Sequence, residues 1–405
     1  MSLFFVNHSQ ETFTPTQSGA IATVLWELCR AAQRYGVEPI VISRSAPVPA
    51  FAWPKFVGIE YPAIRQGRLS TFLYRAERRV TGWPYLRQRS YAARVAEAIV
   101  KVDSACPTIV LNNDPEMAIF LRNAFPTAWI IHVFHNQHGC KDFFRRQFRN
   151  AVDRVVAVSD FTSSWIASYY GVAGRPVRTI YNGVDLQQFQ PSAMPRSGLP
   201  TINFVGRTGI EKGPDILLDA ALRLAERRRN FTLQILGANH WDRFELDDYQ
   251  RSLDERVARL ERLGIAVRRP GHVDRATLPS ELRKASIHVV PARWDEPFGL
   301  TTLEGMACGL ATVASRTGGT PEVLGDAGIL FERERADELA AVLERLLGDE
   351  VLCTDYRRRA RRRAEEFTWD RAWVSLAQSI NCKDVDGQEA VTPMTRAGSP
   401  CTFVL

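Results

Sequence analysis

Glu296-Pro-Phe-Gly-Leu-Thr-Thr-Leu-Glu304 places two carboxylates around a loop that turns into a helix. Pro297 disfavours helical geometry at Glu296, and Gly299 frees the backbone, so the spacing predicts a helix beginning near Leu300. Leu300, Leu303, Met306 and Ala307 then share one stripe that can be buried, with Glu304 on a flank one turn in and Glu296 on the loop before it, next to Phe298. The N–H groups of Gly299, Leu300 and Thr301 suit an anion, and the two carboxylates can accept hydrogen bonds from hydroxyls. A diphosphate flanked by two hydroxyl-bearing rings, as in a sugar nucleotide, fits this pattern. Taken alone, the two glutamates read as surface acids on a helix packed on a sheet.

A second segment upstream favours the first reading. Phe204-Val-Gly206-Arg207-Thr-Gly-Ile-Glu-Lys212-Gly213-Pro214 follows an apolar strand, Thr201 to Val205, and precedes a helix whose Ile216, Leu217, Ala220, Ala221 and Leu224 mark one buried face. It is a glycine-containing strand-to-helix turn with two cations. Arg207 can grip phosphate oxygens bidentately, Lys212 adds a compact charge, and glycines such as Gly206 let backbone approach a ligand. It matches neither a Walker loop nor the dinucleotide fingerprint, which disfavours an NTPase or a dehydrogenase.

These two segments, with Tyr181-Asn-Gly-Val-Asp185 and Gly318-Gly-Thr-Pro-Glu322, resemble the retaining, two-domain GT-B glycosyltransferases of family 4 (group 1). The resemblance covers roughly residues 2 to 380 and is densest from Pro291 to Leu330. It implies an α/β fold of two Rossmann-like domains with parallel sheets facing a cleft. It also implies a donor, a nucleotide-diphosphate sugar, resting mainly on the second domain and an acceptor entering from the first. In that family's terms Arg207 and Lys212 stabilise the diphosphate, Glu304 holds the ribose hydroxyls, and Glu296 orients the transferred sugar without acting as a nucleophile. The resemblance further implies front-face attack with retention. The N–H groups of Ser18-Gly19 would touch the donor when the cleft closes, although many relatives have glycine where Ser18 stands. His135, directly after the apolar strand Trp129 to Phe134, matches a histidine that faces the donor sugar in relatives. Two more departures, Ala238-Asn239-His240 after Gly237 and Ala292 after Pro291, leave donor identity open.

The chain's organisation agrees. Its 405 residues, 45% hydrophobic, suffice for two domains with separate cores. Strands and helices alternate from Leu3 onward, which points to parallel sheets. The polar stretch Gln187 to Pro200 reads as a linker. The expected domains are 1–190, completed, as the resemblance implies, by a returning helix at 367–381, and 198–366, with 383–405 a loose tail. No stretch approaches the roughly eighteen apolar residues of a membrane span, and a strand begins at Leu3 without a signal peptide, so a cytoplasmic protein is expected. Seven scattered cysteines without close pairs suggest neither a disulfide framework nor a zinc site.

His132, His135 and His138 could suggest a metal, but three-residue spacing converges on one point neither in a strand nor in a helix, so no metal and no other cofactor is expected. The net charge is +7. Arg75, Arg78, Arg79 and Trp83 belong to a basic aromatic stretch, 65–94, that could rest on the anionic inner face of a membrane and present a glycan or lipid-linked acceptor, as in bacterial surface polysaccharide or lipopolysaccharide synthesis. A solvated helix face explains the stretch equally well. No motif suggests nucleic-acid binding. The alternatives are a transferase for small-molecule acceptors and a non-catalytic sugar-nucleotide-binding partner, which would be expected to lack one of Arg207, Lys212, Glu296 and Glu304. A GT-B phosphorylase would need a pyridoxal lysine and a longer chain.

Overall fold

A computed structural model describes residues 2–16, 19–60, 76, 85–103, 105–140, 142–171, 176–192, 198–238 and 248–381. Two parallel sheets organise it. The first takes β1 (Leu3–Val6), β2 (Ile40–Arg44), β3 (Phe56–Ile59), β4 (Thr108–Asn112), β5 (Trp129–Phe134), β6 (Arg154–Ala157) and β7 (Arg178–Thr179) in the order β3-β2-β1-β4-β5-β6-β7. The second takes β8 (Thr201–Val205), β9 (Thr232–Leu236), β10 (Val267–Gly271), β11 (Ile287–Val290), β12 (Ala311–Ser315) and β13 (Ile329–Phe331) in the order β10-β9-β8-β11-β12-β13. Central strands such as β4, β11 and β12 are buried throughout, because helices cover both faces of a parallel sheet and its strands must be apolar on both sides.

Strand order decides where a ligand can sit. The chain winds outward one way from β1 and the other way from β4, and likewise from β8 and β11. Connections leaving two such neighbouring strands diverge, opening a crevice beyond their carboxyl ends. The loop after β1, the turn at Asn113-Asp114 after β4, the glycine turn after β8 and the Pro291–Gly299 loop after β11 all leave from these positions.

The chain passes between the sheets twice. On the way out it runs through Tyr181–Asp185, and on the way back through Phe367, where the Val184 N–H donates to the Phe367 carbonyl at 3.0 Å. The last described helix, Trp369–Asn381, then lies along the helix Ala20–Arg34. Its Trp369, Trp373 and Leu376 share one core with Phe5, Leu25 and Val41, and Arg34 pairs with Asp370 at 2.9 Å. A second joint lies beside it. The Glu322 carboxylate accepts from the Asp160 and Phe161 N–H groups, both at 2.7 Å, at the start of the helix Asp160–Tyr170, where an anion is favoured. The run Gly318–Glu322 thus fastens one domain to the other.

Ser18, Arg75, Arg78, Arg79, Trp83, Asn239, His240 and the tail at 383–405 lie outside the described residues. Among the described residues, no helix is long and apolar enough to cross a membrane.

Candidate active site

The turn after β8 closes as a short 3-10 segment, Ile210–Lys212, and Gly213 ends it with φ of +66°. A Cβ there would lie 2.1 Å from the Pro291 carbonyl oxygen, so only glycine lets this turn lie against the loop leaving β11. That approach joins two segments 84 residues apart: the Lys212 ammonium pairs with Glu296 Oε1. Trp294 lies beneath the same ammonium, which sits 4.7 Å from the ring centre. On the other side, Gly318 adopts φ of +53°, and a Cβ on it would lie 2.1 Å from the Glu296 carbonyl oxygen. The Glu296 loop is therefore held between two backbones.

The helix predicted from Pro297 and Gly299 runs Leu300–Ala307. Gly299 precedes it, and no side chain caps its N-terminus. Leu303, Met306 and Ala307 are buried as expected, and Glu304 is more deeply buried than a flanking position implies, at 3% exposure. Its charge is met by Arg275, whose Nη1 lies 2.7 Å from Glu304 Oε1. Arg207, about half exposed, reaches back to Glu211 at 2.8 Å. A cleft of about 570 Å³ opens between the domains, with Gly19, Ala20 and Thr23 on one wall and Gly206, Arg207 and Arg275 on the other.

On the first-domain side, Glu11 lies against the amide groups at the start of the first long helix. Its carboxylate accepts from the Ala22 N–H at 3.2 Å and faces the Gly19 amide at the start of the helix Ala20–Arg34, and burial pushes its pKa up to about 7. His135 lies at the end of β5. Asn112 gives its amide N–H to the Val6 carbonyl at 2.9 Å, which turns its Oδ1 toward His135 Nε2, 2.8 Å away. The imidazole therefore carries its proton on Nε2 and keeps Nδ1 as an acceptor. Burial, with His8 nearby, lowers its pKa to about 3, so it stays neutral. His132 does a different job: its Nε2 accepts the Asp114 N–H at 3.0 Å inside the core. Among the described residues, no three His, Cys, Asp or Glu side chains converge in a way that could hold a metal ion.

Residues 21–188 match the model for Glycosyltransferase Family 4, and residues 187–366 match the model for Glycosyl transferases group 1. The chain joins a family 4 and a group 1 glycosyltransferase domain. It is 34% identical over 215 residues to a D-inositol 3-phosphate glycosyltransferase of Thermobifida fusca, covering 48% of this chain and 47% of that one. It is 27% identical over 286 residues to spore coat protein SA of Bacillus subtilis, covering 65% and 75%. The match thus spans about half the length of the D-inositol 3-phosphate glycosyltransferase. Among solved structures, sucrose-phosphate synthase from Thermosynechococcus elongatus superposes with a TM-score of 0.72 at 19% identity, over 94% of this chain and 98% of that one. Anabaena HepE in complex with UDP-glucose gives 0.66 at 18%, over 93% and 99%. The fold is GT-B.

Several residues that stand at or near this cleft escape a reading of sequence. Arg275 and Glu11 sit in loops without motif or periodicity. Thr302 and Thr320 flank Gly299, and a Cβ on that glycine would lie 3.1 and 3.6 Å from their hydroxyl oxygens. Both hydroxyls are buried without a partner, an unsatisfied polar lining at the helix start. Glu116, on the helix Pro115–Ala124, is another such group. It is 1% exposed, neither carboxyl oxygen has a partner, and burial, with Asp114 adding to it, pushes its pKa from 4.5 up to about 8.

Glu116 makes stability depend on pH. Below pH 4.5 the carboxyl is protonated in the folded and unfolded chains alike. Between pH 4.5 and about 8 the unfolded chain releases a proton that the folded chain keeps, so stability falls as pH rises, by about 1.4 kcal/mol per unit. Glu116→Gln removes this loss. Its melting temperature is expected to match wild type near pH 5 and to exceed it by several degrees at pH 8 in paired thermal scans. A gap that does not widen with pH contradicts the burial of an ionisable group there.

Proposed function

We propose that this chain transfers a hexose-type sugar from a nucleotide-diphosphate sugar to an acceptor hydroxyl, with retention of anomeric configuration and without a metal ion. The observation that carries the reading is the meeting of Lys212 with Glu296 at the mouth of β8 and β11, beside an uncapped helix N-terminus and the Glu304 carboxylate. The nucleotide lies on the second domain, with its diphosphate at Arg207, Lys212 and the N–H groups of Gly299, Leu300 and Thr301, and its ribose at Glu304. The bond from the anomeric carbon to the diphosphate breaks as negative charge grows on the leaving oxygen, and the two cations stabilise that charge. The acceptor oxygen bonds to the same face of the sugar, and its proton passes to the departing phosphate oxygen. Glu296, tied to Lys212, accepts hydrogen bonds from the sugar's hydroxyls and sets its orientation. His135 presents its neutral ring from the first domain.

For the acceptor, the D-inositol 3-phosphate glycosyltransferases among the relatives favour a small polyol. The glycan or lipid-linked reading, with its surface-polysaccharide role and inner-membrane contact, rests on Arg75, Arg78, Arg79 and Trp83. The test begins with the donor: a thermal-shift series with UDP, GDP, ADP, CMP and their sugar conjugates, with and without EDTA. A ligand that binds only the folded state at about one hundred times its Kd adds about 2.7 kcal/mol of stability. One nucleotide diphosphate is expected to raise the melting temperature regardless of EDTA, and Arg207→Ala to lose that shift. No shift with any nucleotide overturns the reading, and a shift abolished by EDTA overturns metal independence.

A further inference from the structure

Arg275 follows β10, on the loop before the helix Leu278–Leu282, and lines the inter-domain cleft. Its guanidinium has three kinds of neighbour. Nη1 meets Glu304 Oε1 at 2.7 Å. The group lies over the ring of Phe189, 5.4 Å from its centre, and Phe189 is fully buried in the segment that links the domains. Beyond stands first-domain charge, with Arg30 3.2 Å from both Glu27 and Asp185. The Gln188 side-chain amide also donates to the Arg275 carbonyl at 3.4 Å.

This arrangement bears on what Glu304 can do. A carboxylate removed from water is costly unless paired. Glu304 can accept from two ribose hydroxyls only if its oxygens are held facing them. Arginine answers both needs, since it stays charged and its planar fork fixes the carboxylate's orientation. The flat face of Phe189 restricts the fork in turn.

We propose that Arg275 is a positioning residue, which holds the Glu304 carboxylate oriented so that it can grip the ribose hydroxyls of the nucleotide. The inference rests on the donor reading above. Arg275 acts through Glu304 and needs no contact with the nucleotide.

The test compares UDP, GDP and ADP with their 2′,3′-dideoxy forms by titration calorimetry on the wild-type protein and on Arg275→Ala, Arg275→Lys and Glu304→Gln. For the nucleotide that binds, Arg275→Ala is expected to weaken the ribose form by about tenfold and the dideoxy form by less than about twofold. Glu304→Gln is expected to behave likewise, and adding Arg275→Ala to it to cost little more, because the two act as a unit. Arg275→Lys, which keeps charge without the fork, is expected to fall between. An equal loss for ribose and dideoxy forms overturns the proposal in favour of direct phosphate contact or a general loss of structure. Full retention of ribose preference in Arg275→Ala overturns it too. A wild-type protein that binds none of the three nucleotides overturns the donor reading and this inference together. If Glu304→Gln loses the ribose preference and Arg275→Ala does not, Arg275 alone is refuted.

Discussion

Lys212→Ala is expected to lower turnover by about 10²–10³-fold, the cost of removing one preorganised charge from a developing anion. The ammonium is placed by three constraints: the turn ending at Gly213, the Trp294 ring and the Glu296 carboxylate. Alanine removes the charge and leaves a carboxylate of 8% exposure without its partner, so a modest fall in melting temperature should accompany the kinetic loss. Glu296→Ala is expected to reduce turnover by a comparable factor, and the double variant to be no worse than about either single one, since a pair that acts together gives non-additive losses. Steady-state rates with the donor found by thermal shift, measured on variants with a wild-type circular dichroism spectrum, decide it. A folded Lys212→Ala with wild-type turnover would falsify the role given to this residue.

The second large effect falls on stability. Gly318→Ala forces a left-handed backbone on alanine, at about 1–2 kcal/mol, and drives its Cβ into the Glu296 carbonyl oxygen and backbone nitrogen, 2.1 and 2.7 Å away. Backbone has no rotamer with which to yield. The expected cost is on the order of 3–4 kcal/mol, with loss of activity, because whatever relieves the clash moves Glu296 off Lys212. Chemical denaturation reads the first and donor turnover the second. Gly36→Ala is the control: Gly36 also has positive φ, at +75°, but nothing stands within 4 Å of its Cβ position, so only the conformational term should appear.

How much of this was legible in the sequence follows from distance along the chain. Pro297 and Gly299 announce the start of the helix Leu300–Ala307 within a few residues, and the apolar run Thr201–Val205 with its glycine turn announces β8 and its phosphate-suited loop. Both signals are local. That Lys212 meets Glu296 is not, because the contact exists only once β11 has been laid beside β8 by a crossover, a matter of sheet order. The resemblance supplied the two roles without the bond between them. Burial was harder still. Helical spacing put Glu304 on a flank, and the structure buries it because Arg275, from an unremarkable loop, comes to meet it. The expectation that the N–H groups of Ser18-Gly19 face the donor did not foresee Glu11, since nothing in the sequence marks a glutamate that folds back onto the start of the helix Ala20–Arg34.

The returning helix Trp369–Asn381 gives the protein an order of assembly. During synthesis the first sheet emerges early, yet the face over Phe5, Leu25 and Val41 stays without its cover until Trp369, Trp373 and Leu376 leave the ribosome. In the meantime the second sheet, whose two faces draw on residues that end at Phe367, has everything it needs to fold. The half that is translated first is therefore completed last, and a nascent chain stalled before residue 369 should display an open apolar surface to chaperones on one domain and a closed one on the other.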